Sequence, residues 1–244
     1  MNELMKLDLT QLPSTQLGSD ETYKDLAKGG GNFLGYIKLC NNDDYVKTEK
    51  IRNGHFGIPT SKEEIVDLNK AIDVIPLARR PKAMDTHDKS AIIISYDETT
   101  QVFKDIQERS NINNSRASWG TSFLVLERST GRFLEFFFGT KSSRPEAANL
   151  FPALPLTQAD IDRRAKAGGD VDGLEPHGPM PMTLTSKLVT NKKGSWFTTV
   201  VTKCSAPFTK LPSTAAVVEE ITKFLTIKSD GAEPVKDTRK ERAR

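Results

Sequence analysis

From residue 32 onward the chain is written in short apolar runs interrupted by glycine, proline and asparagine, the pattern of strands joined by tight turns. Residues 33–39 (FLGYIKL) are the first such run, ended by Asn41-Asn42-Asp43-Asp44, and residues 54–59 are a second, ended by Pro59. Thr60 and Ser61 each stand three positions before a glutamate, Glu63 and Glu64, a capping-box spacing that predicts a brief helical turn before Val66. Residues 71–80 alternate as a strand that leaves through Arg79-Arg80-Pro81-Lys82, and residues 92–96 form another. Residues 98–109 carry Val102, Phe103 and Ile106 on one side, which predicts a short amphipathic helix.

The clearest local signal is a hairpin. Residues 118–127 and 132–138 are two β-rich runs separated by Arg128-Ser129-Thr130-Gly131, with glycine where a positive φ is wanted. A second hairpin joins residues 182–190 to 195–203 through Asn191-Lys192-Lys193-Gly194. Ser143-Arg144-Pro145-Glu146 has capping-box spacing with proline in the first turn and predicts a helix to about Leu150. Residues 152–181 are rich in proline and glycine and read as a long connection with a short helix over 158–166. Val217, Val218, Ile221, Phe224 and Leu225 have helical spacing, so residues 214–227 form an amphipathic helix. The flanks lack periodicity: residues 1–31 read as a flexible arm ending in three glycines, and 228–244 as a disordered basic tail.

Strands outnumber helices and do not alternate with them, which argues against a doubly wound parallel sheet. The expected fold is all-β: one domain over 32–227 built as an OB-like antiparallel barrel with peripheral short helices. At 244 residues, 36% hydrophobic and 27% charged, the chain is long enough to bury a core. No apolar run approaches the roughly 18 to 20 residues a bilayer span requires, so a cytoplasmic protein is expected. The net charge of +3 resides wholly in residues 236–244, which hold five cations and two anions. A basic groove on the neutral body therefore has to arise from local segregation of charge.

Constellations for catalysis are missing. Gly139-Thr140-Lys141-Ser142 lacks the first glycine of a Walker loop, and there is no G-x-S-x-G or H-E-x-x-H. Cys40 and Cys204, with His55, His87 and His177, have no zinc spacing. The aspartate pairs at 160/162 and 170/172 fall in the proline-rich connection. No enzyme activity and no cofactor are expected. Cations interleaved with aromatic residues are more informative, because a single strand needs cations for its phosphates and flat apolar faces for its bases. The candidates are Arg79, Arg80, Lys82, Lys141, Arg144, Lys192 and Lys193 for phosphate, Trp119 and Trp196 for stacking, and Tyr36 and Tyr96 as further rings.

Ala78-Arg79-Arg80-Pro81-Lys82-Ala83, Ile94-Ser95-Tyr96-Asp97, the run from Trp119 to Val125, and the run from Phe137 to Arg144 together resemble bacteriophage single-stranded DNA-binding proteins with an OB-fold. The likeness extends over about residues 33–226. It implies a protein that coats single-stranded DNA in phage-type replication or recombination, in a bacterial host cytoplasm, with replication proteins or further copies as partners. The basic C-terminus departs from the acidic tail that many such proteins carry. RNA is an alternative ligand, since stacking platforms do not read the sugar. A β-rich virion or assembly protein, or a metal-dependent nuclease, are the alternative functions.

Overall fold

Both hairpins form where the turn residues place them, and they frame one sheet. The computed structural model of the chain describes residues 8, 11–13, 34–61, 63–87, 92–112, 115–192, 194–206, 208 and 212–226. The strands are β1 (Tyr36–Leu39), β2 (Phe56–Pro59), β3 (Ile65–Asp67), β4 (Ala71–Asp85), β5 (Ile93–Ser95), β6 (Ala117–Glu127), β7 (Phe133–Phe138), β8 (Met182–Asn191) and β9 (Gly194–Lys203). Their order is β3-β2-β1-β7-β6-β4-β8-β9, with β5 also on β4. Gly131 closes the β6–β7 turn at φ 65°. The Glu127 carboxylate fixes that turn by accepting from the backbone N–H and hydroxyl groups of both Ser129 and Thr130.

β4 is the spine. It pairs with β8 over residues 71–74, with β6 over residues 74–85 and with β5 over residues 83–85. Among the described residues, one of its edges has no strand neighbour between β8 and β5. Pro76 and Pro81 fall in that stretch, where a strand tolerates proline. The strand therefore runs five residues past the expected end at Arg80.

The sheet-dominated architecture is as expected, with two corrections. β1 pairs with β7 in parallel, so the sheet is mixed, and it does not close into a barrel. At the free edge of β9, side chains take the place of a strand. The Asn41 carboxamide donates to the Phe197 carbonyl at 3.0 Å and accepts from its N–H at 2.6 Å, and the Glu146 carboxylate accepts from the Val201 N–H at 3.2 Å.

Among the described residues five helices accompany the sheet: α1 (Asp44–Lys47), α2 (Gln101–Arg109), α3 (Arg144–Ala147), α4 (Gln158–Lys166) and α5 (Thr214–Thr226). A 3-10 segment, Ala148–Ala153, continues α3. Residues 41–44 lead into α1 rather than forming only a turn. The helical turn expected after Thr60 is instead a tight turn into β3, because the Ser61 hydroxyl accepts from the Glu63 and Glu64 N–H groups. α4 has the expected bounds, set by a reciprocal capping box between Thr157 and Asp160. The 152–181 connection closes on itself through a Leu156–His177 bridge and a bond from the Met180 N–H to the Ala153 carbonyl.

The alternation of β7 separates the two sheet faces. Leu134, Phe136 and Phe138 join Val74, Phe123 and Val125 in the larger core, which Leu150 and Leu154 cover. On the opposite face Leu77, Leu124 and Leu126 meet Val217, Ile221 and Phe224 of α5. Leu12, inside the expected arm, is buried in this second cluster. Apart from positions 8 and 11–13, residues 1–31 lie outside the described residues, as does the tail 228–244. α2 covers the far end of the larger core's face, where Phe103 and Ile106 meet Ala83. Among the described residues no helix is long and apolar enough to cross a membrane.

Candidate nucleic-acid interface

The loop 139–144 exists because β7 stops early. β6 pairs with β7 only from Thr121 onward, so residues 117–120 run beyond it and the chain folds back beside them. Hydroxyl groups tie the loop: the Thr140 N–H and the Thr140 hydroxyl both donate to Ser143 Oγ, at 3.2 and 2.7 Å, and the Arg144 N–H donates to the Thr140 carbonyl at 3.0 Å. The capping box expected at Ser143 is not made, because its hydroxyl is engaged by Thr140 and Glu146 turns to Val201.

Gly120 is needed for this fold-back. A Cβ there would stand 2.0 Å from the Phe138 carbonyl oxygen and 3.2 Å from Arg144 Cγ. With no side chain in the way, Arg144 lies across Trp119, its guanidinium carbon 4.3 Å from the ring centroid. Trp119 is half-buried and rests against the cluster beneath α2. On the other side of the loop, Trp196 Nε1 donates to Ser142 Oγ at 3.3 Å. Lys141, between these contacts, is exposed. The structure thus brings together Trp119, Lys141, Arg144 and Trp196. Burial pulls the Arg144 guanidinium below its ordinary pKa, and among the described residues it has no ion pair.

The β4–β6 register extends the site. Arg79, Pro81 and Ala83 stand opposite Phe123, Thr121 and Trp119, and directly opposed residues share a face. Arg79, Pro81, Thr121 and Trp119 are partly exposed, and Arg79 lies over the Phe151 ring at 4.2 Å. Phe151 was missed in the sequence. It sits beside Pro152 in a stretch with no strand alternation, and only the 3-10 segment turns it outward.

Three expected contacts are corrected. Arg80, Lys82 and Tyr96 are 1%, 8% and 8% exposed, so none forms an open groove. They lie on the opposite face, where Arg80 is sandwiched at 3.5 Å from the Tyr96 centroid and 4.2 Å from that of Phe224, and donates to the Phe224 carbonyl. Glu135 is the counter-charge: Lys82 Nζ donates to it at 2.9 Å, Arg80 approaches to 3.6 Å, and the Ser122 hydroxyl donates to the same oxygen. Burial raises the Glu135 carboxyl, but Lys82, Arg80 and Ser122 outweigh it and hold the group below the usual carboxylate range. Tyr36 is exposed, yet it pairs with Glu135 in register and so belongs to that opposite face as well. Lys192 is exposed at the β8–β9 tip, and Lys193 lies outside the described residues.

Other candidate groups are engaged within the protein or stand apart from the loop. Buried His55 has its Nδ1 2.9 Å from both oxygens of Asp67, and burial pushes the Cys40 thiol up to about 12. His87 and His177 are exposed, and both cysteines are free thiols, Cys204 only half-buried. Among the described residues no group of three or more His, Cys, Asp or Glu side chains is placed to hold a metal. An open depression of about 700 Å³ lies away from the tryptophans, lined by Asp67, Asp73, Glu127, Arg128 and Phe208. Its carboxylates are occupied: Asp67 by His55, Asp73 by Arg128 and Thr183, and Glu127 by the β6–β7 turn. No protein-family model, curated protein or solved structure matches the chain.

Proposed function

We propose that the chain binds single-stranded DNA, with little sequence preference, along the loop 139–144 and the adjoining strip of β4 and β6. The convergence of Trp119, Lys141, Arg144 and Trp196 on one loop carries this reading. An unstacked base needs a flat apolar partner, and such stacking contributes roughly 1–3 kcal/mol per base whatever its identity. Arg144 over Trp119 supplies a cation backed by an indole, and Lys141 supplies an exposed charge for phosphate. A duplex keeps its base faces inside the stack and gains only the charge term.

Titrating the intrinsic tryptophan fluorescence with oligothymidine at low and high salt tests the reading. Quenching is expected, with log affinity falling against log salt by about 0.7 for each phosphate contacted. Absence of both quenching and binding at low salt overturns it. An oligouridine of the same length is expected to bind comparably, since nothing in the loop is specific to the 2′ position.

A further inference from the structure

We infer that Phe151 and Arg79 form a second base-stacking station, so that one strand crosses β4 and β6 between two arginine-capped aromatic rings. The inference rests on the single-strand reading and adds to it a residue, a path and a minimum ligand length. Phe151 is 38% exposed, its ring tilted at 35° against buried Phe123 with centroids 6.0 Å apart. Arg79 lies over that ring at 4.2 Å, repeating the 4.3 Å arrangement of Arg144 over Trp119. A large exposed ring covered by a cation, on the same sheet face as the first pair, is the chemistry a second unstacked base requires. Between the stations Pro81 and Thr121 make a low floor without long side chains.

The spacing suits a short strand. Trp119 and Phe123 are four residues apart on β6, about 13 Å at strand rise, at most about four base steps at the stacked spacing of 3.4 Å and fewer in an unstacked strand. A dinucleotide reaches only one station; a hexanucleotide spans both. The electrostatics point the same way: burial first, and then Arg163 of α4, pull the Arg79 guanidinium below its ordinary pKa, against Glu98 and Asp160.

The test compares dithymidylate with hexathymidylate on the full chain and its variants, by fluorescence or calorimetry. Phe151→Ala is expected to weaken hexanucleotide binding by about 5- to 150-fold while leaving dinucleotide affinity unchanged, with a lower Tm from the lost contact with Phe123. Phe151→Leu, which keeps apolar bulk but loses the flat face, is expected to behave like Phe151→Ala. Arg79→Gln is expected to lower the hexanucleotide salt slope by about 0.7. Wild-type hexanucleotide affinity in Phe151→Ala or Phe151→Leu overturns the second station and leaves the first intact. Equal losses for both oligonucleotides also overturn it. Failure of the wild-type chain to bind either one removes both readings together.

Discussion

Arg80 and Arg144 are each laid against aromatic rings, and what stands behind them separates their roles. Arg80 is sealed between Tyr96 and Phe224 and shares Glu135 with Lys82. Arg144 covers one ring, Trp119, remains partly exposed and has no ion pair among the described residues. A guanidinium taken out of water must be compensated inside the protein. One left at the surface keeps its charge for an external anion. The same pair of residue types therefore ties α5 to the sheet in one place and leaves a partly exposed cation over an indole in the other, and the carboxylate makes the difference.

Removing that carboxylate is the strongest way to break the contrast. Glu135→Gln leaves two buried cations without a counter-charge and is expected to destabilise the fold by about 3–5 kcal/mol, read from urea unfolding at pH 7. A loss below about 1 kcal/mol would mean that Arg80 does not depend on Glu135. The pH dependence follows from the sign of the shift. The folded-state pKa of Glu135 lies below its ordinary value near 4.5, so its contribution is complete above that value and disappears as pH falls through the lower folded one. The gap between wild type and Glu135→Gln is expected to narrow on acidification and to stay constant between pH 6 and 8; a gap unchanged down to pH 2 would contradict the ion-pair assignment.

The exposed partner breaks differently. Gly120→Ala forces a Cβ into the Phe138 carbonyl and against the Arg144 stem, with an expected destabilisation of about 1–3 kcal/mol. It also shifts Arg144 off Trp119, so oligothymidine affinity falls together with stability. Arg144→Ala separates these effects. Stability is expected to change by less than about 1 kcal/mol, while the salt slope of binding drops by about 0.7. Urea unfolding and salt titration of one preparation check both, and a large stability loss in Arg144→Ala would place this arginine in the same structural class as Arg80.

Local chemistry made much of this architecture readable in advance. The hairpin turns follow from Gly131 and Gly194 and from the polar residues around them, and α4 from Thr157 with Asp160, because partners and geometry lie within a few residues. The full length of β4 was not readable: whether Pro76 and Pro81 are tolerated depends on an edge that β8 and β5, distant in sequence, leave uncovered. Arg80 and Lys82 were misread for a similar reason. Alternation along β4 places both on the side that α5 and Glu135 occupy, and neither partner is visible from the basic run itself. Trp119, Lys141, Arg144 and Trp196 were identifiable by type, but their meeting depends on β7 ending at Phe138 and on the bare backbone of Gly120.

Lys141 sharpens the comparison at its weakest end. Its side chain is exposed and has no part in the hydroxyl bonds that hold the loop, so Lys141→Ala is expected to leave the urea midpoint unchanged. If the loop is where phosphate is met, the same substitution lowers the salt slope by about 0.7 and reduces low-salt affinity without altering maximal tryptophan quenching. The rings still stack, and only one counterion fewer is released. An unchanged slope in Lys141→Ala alongside a reduced one in Arg144→Ala would move the phosphate path away from the loop tip toward the β6 edge, leaving the charge of Arg144 as the distinguishing feature of this face.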